Sequence, residues 1–599
     1  MILKNRVSRN SYADSVFLMS LANRAGQLPG ILEAAALMGT PENKDLLRDA
    51  GLLDATGEQA RPDDLIIALR AEAREFLETA VEQIGEWMAQ RLAVAPTGEE
   101  GPPRTLSSAL DRLPEAGVVL ISVPGRYVFG EARTALKAGR HVMIFSDHVP
   151  VEDEVTLKKM AAERGLMVMG PDCGTTVLGG GVLGFGNVVR RGTVGIAGAS
   201  GTGIQEVCSV LDGFDEGITH AIGLGGRDLS EPVGAIGALQ AIELLQADPQ
   251  TDIIVFISKP PDPVTADKVL EALSGIGKPS VVCFQGLDGG QRRLPEDLFM
   301  TAYLEDAVLR VLQLKGRTGE AMSVFMKTVT GITSLAGREI ALLQDGQRAI
   351  RGLFSGGSLC AEAGLILKFF LPELNTNIHL PGGRRLENVS VSRGDTLIDL
   401  GDDEFTAGVP HPMIDFTVRN RRIIQEAEDP ETAVILFDIV LGYGAHPDPA
   451  GAILPAVLEA RRIAEKRGAH LCCVASLCGT KGDPQDLEKQ RRILEKNGII
   501  TLPSAALAAR TAIHVALRGK EKIALPEMPD LSRSAGRTGH DPIPSPANNL
   551  LNTPLKVVNL GLPWFADSLQ QQKVPVIQVD WRPPAGGDKR LLEILRKLQ

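Results

Sequence analysis

The chain has 599 residues, several domains' worth at roughly 100–200 residues each, with 44% apolar and 23% charged residues, ordinary values for a globular protein with a sizeable core. A formal charge of −11 without a long Lys/Arg block excludes nucleic acid and acidic membrane as expected partners. No stretch reaches the ~18 apolar residues of a membrane helix, and Met1-Ile-Leu-Lys-Asn-Arg6 has no signal-peptide run, so a cytoplasmic protein is expected.

In chain order, 1–92 reads as a small α+β domain. It has a β-leaning opening, a helix-like Ser15–Ala25, then Ala34–Met38, the turn Gly39–Lys44, and Ile66–Leu92 of helical composition. Pro and Gly mark 93–104 as a linker. From 105 to 191, strands (Val118–Val123, His141–Phe145, Leu166–Met169) alternate with helices (Phe129–Ala138, Val151–Arg164), which implies a Rossmann-like parallel sheet. Ligands then belong at the strand carboxyl ends: Ser122, Pro124 and Arg126 after the first, Ser146 and Asp147 after the second, Pro171 and Cys173 after the third.

Residues 192–320 open with Val194-Gly-Ile-Ala-Gly198-Ala-Ser200-Gly201-Thr202-Gly203, a β-branched run, a small-residue turn and a helix start. Such a turn aims unpaired N–H groups and the positive helix end at whatever lies above; the plain alternative is a tight turn without a ligand. Gly223-Leu-Gly225-Gly226 and the strands Asp252–Ile257 and Ser280–Phe284 follow, with helices near Ile236–Gln246 and Ala266–Leu273 between them. The 345–520 segment repeats this order. Gly352-Leu-Phe-Ser-Gly356-Gly357-Ser358 echoes Gly195–Gly201, Leu397–Asp403 echoes Ala221–Arg227, and Asp429–Phe437 echoes Asp248–Phe256. A duplicated, flavodoxin-like doubly wound domain is expected, its copies related by a pseudo-two-fold axis that brings two helix N-termini together.

The copies diverge after Phe256 and Phe437. Only the second continues into Gly442-Tyr443-Gly444-Ala-His446-Pro-Asp448, a second candidate anion cradle in which His446 is either a surface histidine or an acid. Lys481 is a candidate charge partner or a plain loop lysine. The seven cysteines show no zinc spacing, so they read as reduced core thiols, and no metal site is expected. Residues 521–554 read as a linker and 555–599 as a docking segment with one or two strands and a helix over Leu592–Leu598, too short for its own core.

These motifs carry a resemblance. The span Val118–Leu314 resembles the α subunit of succinyl-CoA synthetase, through Gly170-Pro-Asp-Cys-Gly174, Val194–Thr202, Gly223–Gly226 and Asp248-Pro-Gln-Thr251; Gly352–Leu517 is similar to the ligase domain of its β subunit, without an ATP-grasp domain. With Ala36–Lys44 near the start and Val579–Gly587 at the end, the fusion resembles the FdrA family. The resemblance implies a CoA-binding-type domain and two ligase-like domains. It departs from that enzyme in having no histidine between His220 and His379, so the usual phosphohistidine relay has no residue here. What FdrA relatives imply instead is oxamate carbamoyltransferase: phosphorolysis of oxalurate to oxamate and carbamoyl phosphate in allantoin and purine catabolism, with further subunits in a hetero- and homo-oligomer.

On that reading Gly198, Ser200, Gly201 and Thr202 hold phosphate from one side, and Gly356, Gly357, Ser358, Gly442 and Gly444 from the other. Ser200, Tyr443 and His446 are the catalytic candidates, with His446 protonating the departing nitrogen. Ser122, Pro124, Arg126, Ser146, Asp147, Pro171, Cys173, Gly225, Gly226 and Lys481 form the substrate or CoA-type pocket, with CoA or phosphate the candidate small molecules. The alternatives are an acyl-CoA synthetase subunit completed by an ATP-grasp partner, and a non-catalytic CoA- or anion-binding scaffold.

Overall fold

Parallel strands buried on both faces need helices on both sides, and most of this chain is built that way. The computed structural model describes residues 2–9, 11, 15–26, 28–62, 64–93, 101–287, 294–406, 411–523 and 550–583. The expected helix Leu592–Leu598, most of the 93–104 linker and most of the 521–554 linker lie outside these residues.

The N-terminal unit is a three-stranded antiparallel sheet with Leu65–Ala71 between Ile2–Ser8 and Ile31–Met38. The composition-based reading of Ile66–Leu92 as helical is thereby corrected: its first residues are the central strand, and the helix is Arg74–Ala93. A short apolar run buried on both faces carries no period that separates strand from helix. The Gly39–Lys44 turn is also shorter than expected, because Pro41 already opens the helix Pro41–Asp49.

Two seven-stranded sheets form the centre. In the first, the order is Leu298–Thr301, Ser280–Phe284, Ile253–Ser258, Arg191–Ala199, Ile218–Gly223, Thr175–Leu178, Gly181–Gly184. In the second, Thr396–Asp399, Ala349–Phe354, Thr432–Val440, Cys472–Cys478 and Ile500–Leu502 repeat the parallel part. The antiparallel hairpin Thr175–Gly184 pairs with Ile218–Gly223, so it belongs to the ligase-like unit and not to the 105–191 domain that the sequence suggests. The 25-residue helix Thr318–Leu342 joins the copies, which share one hydrophobic core running from Ile204 and Val207 to Ile366 and Ala512.

The copies also cap each other. Glu206, on the first helix of the first copy, accepts a hydrogen bond from Ala505 N (2.6 Å) at the start of the last helix of the second copy. Glu362, at the same step of the second copy's helix, accepts from Leu304 N (2.9 and 3.0 Å) at the start of the first copy's last helix. Desolvation pushes Glu206 up to about 8 and Glu362 up to about 7.

The remaining sheet is wholly parallel, with the order Val576–Val579, Val557–Leu560, Val118–Ile121, His141–Ile144, Val168–Met169. Two of its five strands come from the C-terminal segment, whose helix Pro563–Gln571 packs Phe565 against Phe145 with ring centroids 4.7 Å apart. Counted from that C-terminal unit, the order is that of a flavodoxin-like doubly wound sheet, and the switch point lies between Val557–Leu560 and Val118–Ile121. A buried cluster ties this sheet to the first ligase-like unit: Lys158 Nζ donates to Glu154 Oε1 (2.9 Å) and Asp228 Oδ1 (2.5 Å), and Asp228 accepts from Gly237 N and Ala238 N.

Candidate functional site

The site grows from two strand-to-helix turns. Arg191–Ala199 feeds the helix Gly201–Gly213 through Ser200, and Ala349–Phe354 feeds Gly357–Phe370 through Ser355-Gly356. Neither helix has an N-cap side-chain hydrogen bond, which leaves first-turn N–H groups of the first helix, and that of Gly357 in the second, for a ligand or water. The two helix starts touch: Ser200 Oγ and Ser358 Oγ lie 2.6 Å apart, and Ser358 N donates to Thr202 Oγ1 (3.3 Å). The expected convergence of two positive helix ends is therefore present.

The second turn is partly filled by its own chain. Asp438 accepts from Ser355 N (2.7 Å) and Gly356 N (2.8 Å) and pairs with the buried Arg419 (2.8 Å). The position matching Asp438 in the first copy is Ile257, so the first turn keeps its N–H groups open.

A cavity of about 690 Å³ runs from these helix ends to the strand ends of the five-stranded sheet. It is reached by Ser122, Pro124, Ser146, Asp147 and Cys173 on the Rossmann-like side. Gly198, Ser200, Gly201, Thr202, Gly225 and Gly226 face it from the first copy, Gly357 and Ser358 from the second. Cys173 is a buried thiol pushed up to about 11 by desolvation, a core thiol and not a nucleophile.

Other candidates stand away from the cavity. Gly356 spends its N–H on Asp438, and Pro171 is buried behind Gly225. Arg126 lies over the Tyr127 ring at 4.9 Å, and Lys481 is exposed on a loop. The 442–446 loop does not form the second cradle. Gly442 N donates to Gln485 Oε1 (3.0 Å), Tyr443 N donates to Gly186 O (2.8 Å), and a Cβ at Gly444 would fall 2.7 Å from Phe185. His446 accepts from Asp448 N (3.0 Å) and packs edge-on against Phe416, outside the cavity. With the N–H groups of Gly442, Tyr443 and His446 spent, that loop buttresses the hairpin end, and the second cradle is the 355–358 turn.

Lys259, Asp399 and His411 also line the cavity, and the sequence reading does not single them out. A Cβ at Gly357 would fall 2.5 Å from Asp399 Oδ2 and 3.0 Å from Lys259 Nζ, so both charges flank that helix start. Desolvation pushes Asp399 up to about 6 against the opposing pull of Lys259 and pushes His411 down to about 4. Lys259 and Asp399 both follow or end parallel strands, and the strand-end rule used for Ser122 and Ser146 would have reached them. His411 sits on an irregular segment with no such signal. Gln285, directly after the strand Ser280–Phe284, is buried and donates to Ser358 O (2.9 Å) and Glu362 Oε2 (3.3 Å), binding one copy to the other.

The comparisons with known proteins agree with this architecture. Family models described as CoA-ligase and as CoA binding domain match residues 353–515 and 189–286, and one described as AllF, heavy metal-associated domain matches 1–102. The Escherichia coli protein YahF, itself uncharacterized, is 41% identical over 525 residues, covering 87% of this chain and 100% of its own. The chain belongs to the YahF family. The succinate–CoA ligase (ADP-forming) subunit alpha of Methanothermobacter thermautotrophicus is 31% identical over 143 residues, 23% of this chain and 47% of that one, so the chain spans about half of such a relative. A dinucleotide-forming acetyl-coenzyme A synthetase of Ca. Korarchaeum cryptofilum aligns over 72% of this chain and 86% of its own at 15% identity, with a TM-score of 0.25. This member of the YahF family is thus an α/β fusion of CoA-binding-type and CoA-ligase-type units behind an AllF-type N-terminal domain. The model for CoA binding falls on the first central sheet and not on the 105–191 span. Residues 1–102 contain neither cysteine nor histidine, so any soft-metal donors there are limited to methionine. No helix of the described residues is long and apolar enough to cross a membrane.

Proposed function

We propose that the chain is the acyl-exchange subunit of a CoA-ligase-type enzyme, passing an acyl group between phosphate and a CoA thiol, with nucleotide chemistry supplied by an ATP-grasp subunit in the cytoplasm. The observation that carries this reading is one cavity joining an open helix N-terminus and a second, partly filled one to the strand ends of a doubly wound sheet. Ser122, Ser146 and Asp147 are the residues that would hold the CoA arm. Gly201, Thr202 and Gly357 would hold the phosphoryl oxygens and stabilise the oxyanion as the carbonyl is attacked. Lys259 would balance the second negative charge.

A specific observation favours a second reading, the phosphorolysis of oxalurate to oxamate and carbamoyl phosphate that the FdrA resemblance implies. No histidine lies between His220 and His379, and Gln285, where a relay loop would begin, is committed to the packing between copies. Phosphate held between helix ends attacks a carbonyl without a relay. The deciding experiment combines the chain with its genomic partner proteins. ATP-dependent consumption of CoA thiol establishes the ligase reading. Carbamoyl phosphate formed from oxalurate and phosphate establishes the transferase, and Ser200→Asp should reduce either product at least about tenfold by placing a carboxylate in the cradle.

A further inference from the structure

The wall of the cavity nearest the second helix start holds a carboxyl group that the fold has positioned with one oxygen bonded and the other left open. Asp399 ends the strand Thr396–Asp399 and is 4% exposed. Its backbone is clamped from both sides by Asn377, whose Oδ1 accepts from Asp399 N (2.9 Å) and whose Nδ2 donates to Asp399 O (2.9 Å). Oδ1 accepts from Gly401 N (2.9 Å), whereas Oδ2 has no hydrogen-bond partner among the described residues and points to the place a Gly357 side chain would take. A clamped carboxyl that keeps one oxygen open to the cavity beside an anion-binding helix end is placed to meet whatever binds there.

We propose that Asp399 is the proton-transfer residue of this site, carrying a proton when a phosphate-class anion occupies the paired helix ends and passing it between nucleophile and leaving group. The proposal rests on the acyl-exchange reading for its chemistry but not for its binding test. In that chemistry the C–S bond forms as the C–O bond to phosphate breaks. The protonated Asp399 carboxyl gives its proton to the departing phosphate oxygen and takes up the thiol proton in its place, so it ends protonated and no net proton is consumed.

The groups facing Asp399 set the sign. Lys259, past the end of the first copy's strand, favours the carboxylate, whereas Asp402 on its own loop and Asp438, on the strand beyond Ala349–Phe354, oppose it. Asp438 is itself paired with Arg419, and His411, beside Gly401, is neutral across pH 5–8. A carboxylate here repels a bound dianion, whereas the acid donates a hydrogen bond to it. Anion binding therefore takes up a proton, and affinity falls as pH rises through about 6.

The test is calorimetric titration of the full chain with sulfate, which keeps its charge from pH 5.5 to 8, in two buffers of different ionisation heat. The expected result is sulfate binding about tenfold or more weaker at pH 8 than at pH 6, with close to one proton taken up per sulfate at the higher pH. Asp399→Asn should bind with little pH dependence, and Ser200→Asp should abolish binding. Binding that is flat with pH and free of proton uptake in the unaltered chain overturns the proposal, as does no sulfate binding at pH 6 or an unchanged pH dependence in Asp399→Asn. Proton-linked binding without acyl transfer from any partner set would instead remove the proposed function and the transfer step, and leave Asp399 as the proton-linked residue of anion binding.

Discussion

Gly357 shows how one residue holds this site together. Its missing Cβ is the space between Asp399 Oδ2 and Lys259 Nζ, and the adjoining backbone reaches the Ser200–Ser358 contact. Gly357→Ala should push both charges off the helix start, destabilise the chain by about 1–3 kcal/mol and weaken sulfate binding at pH 6 and pH 8 alike, whereas Asp399→Asn binds no more weakly than the parent chain at pH 8. Denaturant unfolding and the same titration would measure both effects. Asp399 also makes a stability prediction. Its folded pKa of about 6 lies above the unfolded value near 3.8, so its contribution is fully present below the unfolded value and is lost as pH rises through about 6. Asp399→Asn should thus be more stable than the parent chain at pH 8 by up to about 3 kcal/mol and no more stable near pH 4, as unfolding midpoints at the two pH values would show. Such a gain on removal is the signature of a group kept for function.

Among the elements, the reciprocal caps set the relation of the two copies. Glu206 and Glu362 each reach across to the first N–H of the other copy's last helix, so each copy relies on the other for part of a helix cap. Glu206→Ala should cost about 1–2 kcal/mol and loosen the contact between copies, whereas Glu206→Gln keeps an acceptor for Ala505 N. Because the folded pKa of Glu206, about 8, is raised above the ordinary 4.5, its contribution is lost as pH rises through that value, and Glu206→Gln should flatten the fall in stability between pH 6 and 9. Thermal melts across that range would reveal a variant that still falls like the parent, which would place the pH dependence elsewhere. The elements also show why sequence reading misplaced some residues. Val118–Ile121 and the Val194–Thr202 turn follow from local rules. Leu65–Ala71 does not, because a doubly buried strand has no polar face to mark its period.

For the whole molecule, the Rossmann-like sheet is completed by the far end of the chain. Val557–Leu560 lies between Val118–Ile121 and Val576–Val579, and Leu562 N donates to Ser122 Oγ (2.8 Å) at the cavity edge. Ending the chain after residue 523 should remove two of five strands, expose the apolar edge of Val118–Ile121 and open the 105–170 region to protease while the two ligase-like units stay protected. Limited proteolysis with mass spectrometry would check this, and equal protection of both regions would mean that the sheet stands without its C-terminal strands. By itself the sequence determined the doubly wound class, the duplicated unit, the buried thiols and the paired glycine turns, because each depends on near-neighbour rules of period, turn chemistry and repeat. Only the tertiary structure decided that His446 is spent on its own loop, that Asp399 and Lys259 stand at one helix start, and that residues 557–579 finish a sheet begun at 118. Those facts join residues far apart in the chain, and the closure that brings them together is set by packing between elements that no local pattern encodes.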